Sequence, residues 1–418
     1  MARINEPFQR DFRNNSMENL VLPRGYRFAG IHAGIKADAN RFDVGLLLSD
    51  IPAAAAGVFT QNRVTAAPVK ICRERLPAGD ARGVVICSGN ANACTGEQGL
   101  EDARRMTAIA AEAVGCQSEQ FLVCSTGVIG RQLPMREIEP GIRSAARKLA
   151  ASPPAFDDLA HAILTTDTKI KVSSRSISRG DRDIRVTGLA KGAAMIGPNL
   201  ATMLAFVFTD AAIAPNDLAG IAKRAAASTF NCISVEGHTS TNDTLLFFAN
   251  GAAETRSATA SRLNIAREQF ERAATEVCAD LARAIAADAE GATHLITIEV
   301  EGLRSDTEAR QVAKMIADSA LVKTAIFGAD PNWGRFVSAA GYSGVAFEEH
   351  NLSLWLGDLL LYKSGIPQPI GAEAASAYLK NNREVQLRIR FNLGPGRCTF
   401  WTCDLGYEYV RLNAEYTT

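Results

Sequence analysis

Hydrophobic and polar positions recur along the chain with two periods. Phe270, Ala274, Val277, Leu281 and Ile285 follow one another at spacings of four, three, four and four, which predicts an amphipathic helix over about 264–287. Ala289-Glu290-Gly291 stops it, and HLITIEVEG (294–302) then alternates as a strand. Earlier, GVVIC (83–87) predicts a buried strand, SGNANACTGEQG (88–99) a loop, and LEDARRMTAIAAEAVG (100–115) an Ala-rich helix ended by Gly115. FLVCSTGVIG (121–130) predicts a second strand running into a glycine loop. KIKVSSRSISRGDRDIRVTG alternates on either side of Arg179-Gly180-Asp181, the pattern of a hairpin. A buried strand, MLAFVFTD, and a helix near 216–229 follow. Asp330-Pro331 reads as an N-cap followed by proline at the first helical position, and the terminal CTFWTCDLGYEYVRLNAEYTT reads as strand-rich. Helices and strands interleave over 418 residues without a low-complexity linker or repeat. The fold class is α/β, with two or more packed units.

Charge narrows the partners. The 45 basic and 45 acidic side chains cancel, and no polybasic stripe suggests nucleic acid or an anionic membrane surface. Small-molecule substrates are the expectation. The N-terminal stretch has no apolar signal region, and no run approaches the roughly 20 apolar residues of a membrane span. Nine scattered cysteines, odd in number and without a C-x-x-C pair, point to reduced thiols in a cytoplasmic protein rather than a disulfide framework or a zinc site. The five histidines are isolated from one another. No metal and no bound cofactor is expected.

The usual catalytic signatures are missing. The chain has no G-x-S-x-G elbow, no phosphate loop and no dinucleotide turn. Three loops rich in hydroxyls remain: CSTG (124–127), TTDT (165–168) and EGHTSTNDT (236–244). Each alone is an ordinary turn sequence. GPNLATMLAF (197–206) adds a threonine at the head of an apolar run. Thr202 reads as β-branched filler in a buried strand, or as something more reactive. If the bond between Ala201 and Thr202 is cut, the freed α-amine titrates near pH 8 and lies close enough to take the hydroxyl proton. A small residue before the threonine and a proline-constrained turn suit an N-to-O acyl shift onto the Ala201 carbonyl.

The segment GPNLATMLAFVFTDA resembles the cleavage segment of the ornithine acetyltransferases, the glutamate N-acetyltransferases of arginine biosynthesis. The resemblance extends in order through GIHAGIKADANRFDVGLLLSDIPAAAAGVFTQNRVTAAPV (30–69), SGNANACTGEQG, STGVIG, AILTTDT, FNCISVEGHTSTNDT, KTAIFGADPNWGR and YVRLNAEYTT, nearly the whole chain. It implies self-cleavage between Ala201 and Thr202 into fragments 1–201 and 202–418, which stay interlocked and pair into an α2β2 heterotetramer. Thr202 becomes the nucleophile of a ping-pong transfer from N-acetylornithine to glutamate. Thr126, through its side chain, and Gly127, through its backbone N–H, are the implied oxyanion donors. Thr165, Lys191, Glu290, Asn413 and Thr418 are the implied substrate contacts, with Thr165 preferred to its neighbour Thr166 by the start of the motif. The implied fold is a layered arrangement of mixed sheets between helices. It shares its chemistry with N-terminal-nucleophile hydrolases but differs from them in topology.

Some positions depart from the family pattern. Glu236 and His238 stand where members often carry Asp, KGAAMIG replaces a more glycine-rich run, and Thr417 replaces the usual Arg before the terminal Thr. The departures bear on donor preference. Acetyl-CoA as a co-substrate stays open, as does a related N-acyl amino acid amidohydrolase or specialised-pathway acyltransferase of the same fold. An unprocessed amino-acid binder is the reading from another class.

Overall fold

The computed structural model describes residues 20–178, 183–197, 203–253, 260–369 and 371–415. Strands β1 (Tyr26–Ile31) and β2 (Val44–Phe59) open the chain, then helix α1 (Ala67–Arg75), β3 (Ala78–Asn90), α2 (Gly96–Val114), β4 (Phe121–Val128), α3 (Met135–Lys148) and α4 (Pro153–Ala162). The hairpin β5 (Lys171–Ile177) and β6 (Ile184–Lys191) is antiparallel, as its alternation predicts; Arg179, Gly180 and Asp181 lie outside the described residues. Next come β7 (Leu204–Thr209), α5 (Pro215–Ser228), the short β8 (Ile233–Ser234), β9 (Thr244–Ala249) and the long α6 (Ala260–Ala287).

All of these strands except β8 build an eight-stranded mixed sheet in the order β4-β3-β2-β9-β7-β6-β5, with β1 on β2. The 16-residue β2 joins its two halves: Val44–Leu48 pair with β3, and Ala54–Phe59 pair with β9. Strict alternation divides the central strands between two cores. Leu204, Phe206 and Phe208 of β7 pack with the helices α1–α4, and Ala205 and Val207 pack with α5 and α6. The α6 stripe Phe270, Ala274, Val277, Leu281 and Ile285 is fully buried. Gly188 on β6 lets that helix approach, since a Cβ there would sit 2.5 Å from Val277 Cγ1.

The second half continues with β10 (Leu295–Leu303), α7 (Asp306–Asp318), α8 (Ala320–Phe327), α9 (Trp333–Gly341), β11 (Ser353–Leu356), β12 (Leu359–Lys363), β13 (Ile366–Pro367), α10 (Ala372–Asn381), β14 (Glu384–Arg390), β15 (Gly396–Cys403) and α11 (Tyr407–Glu415). Its strands form a seven-stranded sheet, β13-β12-β11-β14-β10-β15-β8. Phe400 and Cys398 of β15 belong to the core shared with α7–α10, while Trp401 and Cys403 pack with α5 and α6. The architecture is therefore α/β in layers: helices, sheet, helices, sheet, helices.

Two local readings differ from the structure. Asp330 does not cap a helix; Asn332 holds the N-cap position, because Asn332 N–H and Trp333 N–H bond back to the Asp330 and Pro331 carbonyls in tight turns that delay the helix to Trp333. The strand-rich C-terminus ends instead in α11, where Arg411 faces Glu408 and Glu415 at i−3 and i+4. Among the described residues no helix is long and apolar enough to cross a membrane.

Candidate active site

Thr126 and Gly127 lie near the end of β4, just before its last residue Val128, in register with Ser88 and Gly89 of parallel β3. The backbone at Gly127 takes φ +133°, and a Cβ would fall 2.3 Å from the Gly89 carbonyl carbon. Only glycine fits there. Behind this turn, Asn242 Nδ2 donates to the Ser125 carbonyl at 2.8 Å and to the Ala91 carbonyl at 2.5 Å. Asn242 belongs to the loop before β9, so it staples the β3–β4 end of the sheet to the β7–β9 end.

Lys191 is the last residue of β6 and is buried. Its ammonium donates to Thr165 Oγ1 at 2.6 Å and lies 3.6 Å from Asp167 Oδ2. Asp167 also accepts from Lys171 at 2.7 Å and from the Gly192 N–H at 2.6 Å, and Lys171 reaches Asp288 at 2.7 Å. Burial alone would raise the Asp167 carboxyl; the two lysines and the Gly192 N–H outweigh it and hold the group well below the usual range. Burial lowers Lys191, with Asp167 opposing and Lys171 adding to the effect. Two buried cations and two carboxylates balance, which is the condition for keeping such charges in a protein interior.

Glu290 follows α6 and is fixed by its N–H on the Ala193 carbonyl at 2.9 Å. Its Oε2 accepts from Asn413 Nδ2 of α11 at 3.2 Å. Thr126, Gly127, Thr165, Lys191, Glu290 and Asn413 line one cleft of about 90 Å3, together with Thr166, Met195 and residues 240–242. A wider cleft of about 880 Å3 adjoins it, sharing Thr165, Thr166 and Glu290 and adding Arg41 and His161. We place the chemistry in the smaller cleft, where the convergent donors and the buried ammonium are. Ala201, Thr202 and Thr418 lie outside the described residues.

The backbone on both sides of 198–202 is held. Before it, the Ile196 carbonyl accepts N–H groups of Val235, Glu236 and Gly237 at 2.7, 3.3 and 3.2 Å. After it, Met203 N–H donates to Asp243 Oδ1 at 2.9 Å, and Thr244 N–H donates to the Met203 carbonyl. Met195, with φ +58°, takes the left-handed turn into this stretch. Asp167, Lys171, Asp288, Asn242 and Asp243 carry no role in the sequence reading. Asn242 and Asp243 lie in the hydroxyl-rich loop singled out there, and Asp167 lies in TTDT, so proximity to those motifs was the available signal.

The model of the ArgJ family matches residues 27–418. The chain belongs to the ArgJ family. An arginine biosynthesis bifunctional protein ArgJ of Geobacter sulfurreducens is 44% identical over 94% of this chain and 99% of that protein. ArgJ 1 of Nostoc sp. is 45% identical over 96% of this chain and 98% of its own length. A crystal structure of the arginine biosynthesis bifunctional protein ArgJ from Bacillus halodurans is 43% identical and covers 50% of this chain and 98% of that one, with a TM-score of 0.48. The loops that build the cleft fall within the part of the chain matched to the ArgJ family.

Proposed function

We propose that the protein is a glutamate N-acetyltransferase that cuts its own chain between Ala201 and Thr202 and moves acetyl groups through an ester on Thr202. The observation that carries this reading is the convergence of Thr126, Gly127, Thr165, Lys191, Glu290 and Asn413 on one cleft, beside a stretch whose flanks at Ile196 and Met203 are both held. Membership of a family of arginine-biosynthesis proteins supports the substrate class.

In self-cleavage, the Thr202 oxygen attacks the Ala201 carbonyl, the C–N bond breaks as the nitrogen takes a proton, and water hydrolyses the resulting ester. Fragments 1–201 and 202–418 remain together: β7 and β9 of the second lie between β2 and β6 of the first. The free α-amine then takes the Thr202 hydroxyl proton as the oxygen attacks the acetyl carbonyl of N-acetylornithine. The Thr126 hydroxyl and Gly127 N–H receive the oxyanion, a contribution of roughly 3 kcal/mol per donor. Ornithine leaves with the returned proton, and the glutamate amine attacks the acetyl ester in turn. Lys191 pairs with the substrate carboxylate. Thr165 and Asn413 orient the backbone of the amino acid, Glu290 meets ornithine's side-chain ammonium, and Thr418 is the remaining substrate contact that the family resemblance implies.

The relatives are named bifunctional; acetyl-CoA as a second acetyl donor is the further activity this reading adds. The working assembly in this reading is an α2β2 heterotetramer in the cytoplasm.

A denaturing gel with mass analysis tests the reading. Two fragments, the second beginning TMLAF, are expected, and Thr202→Ala should remain one inactive chain. A processed and active Thr202→Ala variant refutes the nucleophile. Release of ornithine unaffected by glutamate, without acetylglutamate, would replace transfer by hydrolysis.

A further inference from the structure

Cys232 and Cys398 bring their sulfurs to 3.8 Å of one another. Cys232 ends the short turn Phe230–Cys232 that leads into β8, and Cys398 sits on β15, the strand β8 pairs with. Cys232 is buried, whereas Cys398 is half-buried and meets solvent. The Arg310 guanidinium of α7 lies beside Cys232, and its Nε is buried without a hydrogen-bond partner among the described residues. A cation next to a thiol favours the thiolate, the form that reacts. The Cys398 S–H toward Cys232 and the Arg310 cation lower Cys232 against the opposing effect of burial, and leave it the more acidic of the two.

We propose that Cys232 and Cys398 form a reversible redox-modification site, at which a low-molecular-weight disulfide converts the two thiols into one intramolecular disulfide. Cys398, the sulfur that solvent reaches, passes its proton to the Cys232 thiolate it faces and attacks one sulfur of the small disulfide, expelling a thiolate. Cys232 gives that proton to the expelled thiolate and, as thiolate again, attacks the Cys398 sulfur of the mixed disulfide and expels the second thiolate. Two protein thiols are oxidised, and one small disulfide is reduced to two thiols. The bond needs the sulfurs to close to about 2.05 Å, a shift of roughly 2 Å within reach of a side-chain rotation at half-buried Cys398. Cys72 and Cys124 also approach each other, but both are buried, and no comparable entry exists for an oxidant. The new bond would tie the turn before residues 233–237 to the second sheet, and that segment's N–H groups hold the Ile196 carbonyl beside the cleft.

The test treats the full-length protein with excess oxidised glutathione, alkylates the remaining thiols, and maps peptides without reduction by mass spectrometry. The proposal predicts a peptide pair joined through Cys232 and Cys398 that disappears on adding dithiothreitol. In Cys232→Ser, Cys398 should accumulate as the glutathione mixed disulfide; in Cys398→Ser, Cys232 should stay alkylatable. Exposed Cys94 reports that the oxidant acted. Wild-type protein with modified Cys94 but with Cys232 still alkylatable, whether or not Cys398 carries glutathione, overturns the proposal.

Discussion

The Asp243 carboxylate holds the amide of Met203, with Oδ1 accepting the N–H at 2.9 Å. Asp243 is completely buried, and burial raises its carboxyl well above the ordinary range, with the Met203 N–H and the Lys191 ammonium opposing. This contact fixes Met203, just after the proposed cleavage site, to the residue that leads into β9. Replacing Asp243 by Ala leaves a buried N–H unpaired, at a cost of about 1–3 kcal/mol, and is expected to slow chain cleavage. Asp243→Asn retains an acceptor oxygen and should process within a few-fold of wild type. The cleaved fraction against time on a denaturing gel checks both, and equal rates for Ala and wild type would show that the contact does not guide cleavage.

The oxyanion assignment separates catalysis from folding. Thr126→Val keeps the shape of a nearly buried side chain and removes only the hydroxyl. It should lower kcat by 100- to 1,000-fold, roughly 3–4 kcal/mol, while the thermal midpoint moves by no more than about 4 °C. Gly127→Ala should damage both, since the added carbon would fall 2.3 Å from the Gly89 backbone. A Val variant with wild-type kcat would remove Thr126 from the mechanism.

Lys191 contacts Thr165 and Asp167 from a buried position. Lys191→Met removes the cation offered to a substrate carboxylate, and a charge-assisted bond of this kind is worth about 1.5–3 kcal/mol. Steady-state kinetics should show KM rising at least about tenfold for both donor and acceptor. Arg should not rescue, because its planar fork cannot occupy the space of a compact ammonium. An unchanged KM would place Lys191 in the structural charge cluster alone.

The carboxyl end offers a further check. Asn413 reaches Glu290 from exposed α11, so Asn413→Ala should raise the KM for the ornithine-bearing donor several-fold without changing the unfolding midpoint. Removing residues 413–418 should impair turnover more than stability. Unaltered kinetics in the truncated protein would show that this end is remote from the substrate.

Local periodicity made much of the fold legible. The α6 stripe and the β5–β6 hairpin depend on residues near one another in sequence, and both stand where the pattern puts them. Sheet order was not legible, because β2 meets β9 across nearly two hundred residues and β9 then pairs with β7. The cleft divides in the same way. Thr126, Lys191 and Glu290 came from ordered motif resemblance, whereas Lys171 and Asp288 belong to types that are ordinarily solvated. Their partnership exists only once α6 ends beside the TTDT loop. The terminal helix was missed because YEYVRLNAE alternates like a strand, and only the Arg411 pairings favour the helix.

Glu236 gives the fold a dependence on pH. Both carboxylate oxygens are buried without a hydrogen-bond partner among the described residues. Burial pushes the group up to about 7, against the opposing effects of the backbone N–H near Ile196 and the Lys323 ammonium. The folded protein therefore holds this proton more tightly than the unfolded chain, whose glutamates titrate near 4.3. Between about pH 4.5 and pH 7 the folded state binds more protons, so stability falls as pH rises through that window. The contribution is fully present below the unfolded value and lost above the folded one, with an upper bound of about 4 kcal/mol. Glu236→Gln cannot ionise and should lose less stability than wild type when denaturant unfolding is compared at pH 5 and pH 8. Parallel losses in the two proteins would show that the proton on Glu236 does not couple to folding.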